Sequence, residues 1–241
     1  MAPLERSWRG REPALYAFRG WPYSRLRSGA REMAHVKYPR TFHLPWSEAV
    51  TSDDKVLSSV QSFVGRTVVV TEKMDGENTT LYSDHIHARS LDSKGGEDRA
   101  WVKQFWAQIR HEIPVGWRIC GENLWARHSI SYSDLKSYFY GFSVWDERNC
   151  ALSWEDTQDF FSMLGICSVP VLYNGEWNEK KIREIANSLD TTKVEGYVVR
   201  YAQSFHYDDF GTSVAKFVRE GHVQTGKHWR SQKFIPNSLI V

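Results

Sequence analysis

Apolar positions along this chain follow two rhythms. Short β-branched or aromatic runs at Thr67–Thr71, Arg118–Cys120, Tyr138–Trp145, Gly196–Ala202 and Val214–Val218 have strand composition. Three other segments carry the period of an amphipathic helix. In Arg99–Ile113 the residues Trp101, Val102, Phe105, Trp106, Ile109 and Ile113 fall on one face. Ser153 with Asp156 resembles a capping box opening a helix that stops near Gly165. Asn178 is placed to cap a third helix whose buried stripe is Ile182, Ile185, Ala186 and Leu189. Strands broken irregularly by helices, without a βαβ rhythm, predict an α+β fold of mostly antiparallel sheets.

The 241 residues are enough to bury a sizeable core, and no linker or repeat divides the chain after residue 34. A composition of 41% hydrophobic and 25% charged residues is that of a globular protein. No apolar run has the length of a membrane span, so a cytoplasmic protein with no membrane partner is the default expectation. Cys120, Cys150 and Cys167 are odd in number and lack CxxC spacing, which argues against a disulfide framework or a cysteine zinc site. His85 and His87 form a lone H-x-H pair, and no zinc is assigned to them. The net charge of +2 announces no global basic field. The first 32 residues nevertheless hold seven arginines. They read as a poorly ordered extension, residues 1–34, ahead of a second start at Met33, or as a phosphate-binding arm.

The chemistry concentrates where charged residues border apolar strands. In Val68-Val-Val-Thr-Glu-Lys-Met-Asp-Gly-Glu-Asn78 a strand delivers Lys73 to its end and a turn through Asp75 and Gly76 follows. An apolar strand end beside other cations depresses a lysine pKa and makes the amine a nucleophile. At a sheet edge the same lysine is equally a solvated residue. Ala88-Arg-Ser90, Gly121-Glu-Asn123, Val194-Glu-Gly196 and Val214-Ala-Lys-Phe-Val-Arg219 repeat the pattern. Singly, each is more often a satisfied ion pair than a site residue. Together, and in this order, they are hard to dismiss.

The order K-x-D-G, A-R-S, G-E-N, an aromatic strand ending near Asp146, E-G-Y-V-V-R and A-K-F-V-R resembles the motif set of covalent nucleotidyltransferases, the ATP-dependent polynucleotide ligases and mRNA-capping guanylyltransferases. With Asn78 five residues after the lysine, it is most similar to the RNA ligases related to phage T4 RNA ligase 2. The similarity runs from about Tyr38 to Phe234.

That resemblance implies a ligase-adenylation fold of twisted sheets flanked by helices over residues 35–241. It implies an enzyme that uses ATP and Mg2+ or Mn2+ to join an RNA 5′-phosphate to a 3′-OH. It further implies that Lys73 forms lysyl-AMP, with Glu72 and Asn78 beside it in the nucleotide site. By the same carry-over Arg89 contacts phosphate or ribose, Glu122 holds the ribose hydroxyls, and Phe142, or else Tyr140, stacks on adenine. Glu195 engages the metal and Lys216 neutralises the α-phosphate. The implied partners are RNA ends and an enzyme that prepares them, and the implied state is a monomer.

Two positions depart from the pattern. Asp75 stands where close relatives of the phage enzyme often have His, and Val214 stands where the RNA ligase pattern has the first of two lysines. Arg219 is the cation expected to compensate. The chain ends too soon after Lys216 for the OB-fold domain of DNA ligases and capping enzymes, which leaves RNA contact to a basic, tryptophan-containing segment with Arg219, Lys227 and Arg230. A minimal DNA-nick ligase and, from a different class, a catalytically silent nucleotide- or RNA-binding module are the alternative readings. The intact Lys73, Glu122 and Glu195 argue against silence.

Overall fold

Val68, Val69 and Val70 are completely buried in strand β2 (Thr67–Lys73), the continuous apolar run that a strand covered on both faces requires. The computed structural model describes residues 34–93, 96–190, 193–220 and 234–240. The extension expected over residues 1–34 therefore lies outside the described residues, Ala34 excepted. Within them β2 runs antiparallel between β10 (Gly196–Tyr201) and β9 (Val171–Glu176). β10 pairs onward with β12 (Val214–Val218), and β1 (Phe42–His43) adds to β12 in parallel. The first sheet thus has the order β1-β12-β10-β2-β9.

The second sheet has the order β11-β7-β6-β5-β3-β4. Its members are β3 (Glu77–Leu81), β4 (Ile86–Ala88), β5 (Arg118–Asn123), β6 (Phe139–Trp145), β7 (Cys150–Ala151) and β11 (Phe205–His206). β8 (Cys167–Ser168) pairs with β6 in parallel. Among the described strands all pairings other than β1–β12 and β6–β8 are antiparallel, so the α+β, mostly antiparallel fold read from the periodicities is the one found. Trp145, Val68, Val70, Tyr197 and Val199, from both sheets, share one buried cluster.

The helices sit where their caps direct. Ser153 accepts from the Asp156 N–H (3.1 Å) to open α2 (Trp154–Leu164), and Gly165 ends it in the left-handed region at φ 67°. Asn178 accepts from the Lys181 N–H (3.0 Å) to open α3 (Glu179–Ser188), whose Ile182 is fully buried. α1 (Ala100–Ile109) is shorter than its hydrophobic period predicts. The chain tightens into a 3-10 turn at Arg110–Glu112, and Ile113 is extended (ψ 120°), as a residue preceding proline must be. A four-residue helix α4 (Phe210–Ser213) leads into β12.

Candidate active site

Lys73 is the last residue of β2, and its direct partner on β10 is Gly196. That register sets the residue before Gly196 beside the lysine, and the Glu195 carboxylate accepts a hydrogen bond from the Lys73 ammonium. Gly196 has a steric reason: a Cβ there would lie 2.0 Å from the Phe217 carbonyl oxygen of β12. The turn after Lys73 is equally tight, since a Cβ on Gly76 would meet the Asn123 carbonyl oxygen at 2.5 Å. Asp75 is held by a more distant stretch of chain. Its Oδ2 accepts from the Ser129 N–H (2.8 Å), the Ser129 hydroxyl (2.6 Å) and the Ile130 N–H (2.9 Å), while its own N–H donates to the Tyr132 hydroxyl (2.9 Å). Asp75 therefore ties the turn after Lys73 to the segment 129–132.

One cavity of about 260 Å³ opens against Lys73. Glu72, Asn78, Arg89, Glu122, Phe142 and Lys216 all line it, although they come from five different stretches of chain. Glu122 is on β5, and its Oε1 accepts from the Gly76 N–H (3.2 Å). Lys216 is on β12, opposite Val198, another lining residue. Phe142 reaches the cavity through a β-bulge. In the β5–β6 register Cys120 pairs with Ser143 and Gly121 with Gly141, so Phe142 is the extra residue that a bulge re-aims. Tyr140, the other stacking candidate, is buried and takes the Lys136 N–H on its hydroxyl (3.0 Å). It does not line the cavity.

Strand pairing and backbone contacts set two further placements. Asn78 lies in β3 opposite Glu122, not in the turn, because the chain re-enters a sheet immediately after Gly76. Arg219 is not among the cavity residues; its Nε donates to the Val194 carbonyl (2.8 Å) and its N–H to the Glu195 carbonyl (3.2 Å). It braces the backbone around Glu195. Lys227 and Arg230 lie outside the described residues.

The RNA ligase family profile matches residues 66–218, a span that begins just before β2 and ends with β12. The chain belongs to the RNA ligase family. No curated protein sequence matches it. Among solved structures it is similar to an archaeal ATP-dependent RNA ligase (form 1), with TM-score 0.52 and 18% identity over 76% of this chain and 48% of that one. It is also similar to a Naegleria gruberi RNA ligase with PPi (TM-score 0.51, 18% identity, 80% of this chain and 63% of that one). A mutant of a Naegleria gruberi RNA ligase with ATP and Mn is a further match (TM-score 0.50, 17% identity, 78% and 61%). At these identities the likeness shows the fold, and the chain spans about half the length of the archaeal protein.

The electrostatics of this RNA ligase family site are set by crowding. Burial works to depress the Lys73 pKa, as the sequence predicts, but the carboxylates of Glu195 and Glu122 outweigh it and hold the ammonium above the ordinary lysine value. Burial pushes the Glu122 carboxyl up to about 8; the Lys73 charge opposes that rise, and the Glu195 and Asp75 charges add to it. Burial and then the Lys73 charge lower the Lys216 pKa. Burial also raises the Glu72 carboxyl, with help from Asp134.

Several cavity residues escaped the sequence reading. Arg40 and Asp54 line it from the segment ahead of the family match, as does Tyr38, which meets Phe142 edge-on at 5.1 Å between centroids. Arg200 on β10 is buried at the cavity wall, its guanidinium donating to the Tyr201 (3.0 Å) and Leu152 (2.7 Å) carbonyls. It is the Cα partner of Val214. The signal for Arg200 was present, a charge ending the run Gly196-Tyr-Val-Val. For Tyr38, Arg40 and Asp54 no local signal exists.

Proposed function

We propose that the protein is an ATP-dependent RNA ligase that forms lysyl-AMP at Lys73, passes the AMP to an RNA 5′-phosphate and seals that end to a 3′-OH. The observation that carries this reading is a lysine paired to a buried carboxylate at the edge of one cavity, with an aromatic ring, a second lysine and an arginine around it. In the first step the Lys73 amine attacks the α-phosphorus of ATP, an N–P bond forms and the P–O bond to pyrophosphate breaks. Negative charge grows on the phosphate oxygens, and preorganised cations are what stabilise it. Lys216 and Arg89 are the lining cations we assign to that work. Phe142 gives the base a flat apolar face, and Glu122 is placed to take ribose hydroxyls.

Lys73 must lose its proton before it attacks, and the Glu195 carboxylate is its immediate acceptor or counter-ion. A divalent cation, Mg2+ or Mn2+, supplies charge neutralisation on phosphate when bound. The residues fit such an ion. The buried Glu195 carboxylate beside Lys73 is the group that would hold it. That suits a metal held by one or two carboxylates with water and phosphate completing its shell.

The test is incubation with α-labelled ATP and Mg2+, followed by intact-protein mass, peptide mapping and addition of 5′-phosphorylated nicks ended in RNA or DNA. The expected result is an AMP adduct on Lys73, absent in Lys73→Ala, that is discharged onto RNA-ended nicks in preference to all-DNA ones. An adduct of full yield in Lys73→Ala, or equal sealing of both substrates, would overturn the reading.

A further inference from the structure

The carboxylate that meets Lys216 comes from outside the family match. Residues 66–218 carry that match, whereas Asp54 lies in the segment before it and lines the cavity. Its two oxygens have separate duties. Oδ2 is held by Thr51, through the N–H (3.1 Å) and the hydroxyl (2.8 Å). Oδ1 lies 3.4 Å from His43 Nε2 and 3.8 Å from Lys216 Nζ. His43 is itself fixed: it is buried, it is the parallel Cα partner of Lys216 through the β1–β12 pair, and its Nδ1 bonds the Ser47 hydroxyl (2.7 Å). Ser47 in turn accepts from the Val218 N–H (2.9 Å) at the end of β12.

The charges around the Lys216 ammonium are Asp54 and Glu195, which attract it, and Lys73 and Arg89, which repel it; His43 packs from β1. A long lysine side chain with two like charges nearby has no reason to stay over one point of the cavity. An oriented carboxylate supplies that reason, because the field at a developing oxyanion is useful only when the cation is already in place.

We propose that Asp54 is a positioning residue, oriented by Thr51, that holds the Lys216 ammonium at the cavity wall for nucleotidyl transfer. This rests on the reading of Lys73 and Lys216 above. Asp54 thereby gives this site, which has Val214 where the family pattern has a first lysine, a fixed position for the lysine that remains.

The test is a double-mutant cycle on adduct formation from ATP, measured by intact-protein mass across ATP concentrations in wild type, Asp54→Asn, Lys216→Met and the double variant. Asp54→Asn should lower the rate at saturating ATP by about tenfold, the size of a coupling between contacting charged groups, with a smaller change in half-saturating ATP. Asp54→Glu should recover most of the loss. In the Lys216→Met background Asp54→Asn should change the remaining rate by less than about twofold. A wild-type rate in Asp54→Asn, or the same tenfold loss with and without Lys216, overturns the proposal. If Asp54→Asn does not fold, Thr51→Ala removes the hydroxyl bond to Oδ2 while keeping the backbone N–H bond and the charge, and its smaller loss must show the same dependence on Lys216. A wild-type protein that forms no adduct removes the functional reading, and the proposal with it; an adduct with no Asp54–Lys216 coupling removes the proposal alone.

Discussion

Asn78 and Glu122 are direct cross-strand partners on β3 and β5, and both line the cavity beside Lys73. The pairing sets an amide next to a carboxyl that is pushed up to about 8. The Asn78 Oδ1 is buried with no hydrogen-bond partner among the described residues, an acceptor whose burial a bound donor would offset. Asn78→Ala is expected to keep forming the AMP adduct while sealing of RNA nicks falls by about tenfold or more. Gel analysis should show AppRNA or adenylated enzyme accumulating; sealing at the wild-type rate would return Asn78 to a packing role.

Phe142 and Tyr140 separate by the same logic. Phe142→Ala should weaken ATP binding by about 1–3 kcal/mol, the usual cost of losing a base–aromatic stack. Pre-formed adduct should still seal. Tyr140→Phe removes only the hydroxyl that takes the Lys136 N–H, so calorimetric ATP affinity should not move.

The raised Glu122 carboxyl makes a stability prediction with a definite sign. The folded protein keeps the Glu122 proton up to about pH 8, while the unfolded chain loses it near the ordinary glutamate value of about 4.3. Between those values the folded state binds more protons, so stability falls as pH rises through the window. Glu122→Gln should flatten that fall between pH 5 and 8 by about 1–3 kcal/mol, a discounted figure because solvent still reaches the carboxyl. Urea midpoints across the window provide the measurement, and parallel slopes in both proteins would refute the assignment.

Asn237 braces the turn after Lys73 through Tyr132. Its Oδ1 accepts from the Tyr132 N–H (2.9 Å) and its amide donates to the Leu124 carbonyl (2.8 Å), and Tyr132 is the residue whose hydroxyl takes the Asp75 N–H. Asn237→Ala leaves buried backbone groups without partners and should cost about 1–3 kcal/mol of stability. Thermal melting reads that loss, and the adduct rate should fall in a protein still folded at 25 °C.

Periodicity was enough to predict the α+β class, five strands within a few residues and the side-chain caps of α2 and α3, and the motif residues Glu72, Asn78, Arg89, Glu122, Phe142 and Lys216 line one cavity. The signals for those features are local. A cap needs one side chain and a nearby N–H, a buried strand needs its valines, and a charge at the border of an apolar run stands out in the sequence itself.

What only the tertiary structure decided depends on pairing between distant strands. β3 was missed because its buried residues are Thr79, Thr80 and Leu81, a single apolar side chain and no run to mark the strand. Phe142, not Tyr140, faces the cavity because a bulge against β5 shifts the register by one residue, and nothing within β6 encodes that shift. The lysine pKa moved opposite to expectation because two carboxylates, from β5 and from the residue before β10, arrive within reach of an amine on β2. Asp54 meets Lys216 only because β1 pairs in parallel with β12, more than 160 residues away in sequence. The sequence by itself determined which chemical groups this protein carries and which local elements present them. Their distances, and therefore their charges, were decided by strand register, a long-range property that no window of the chain contains.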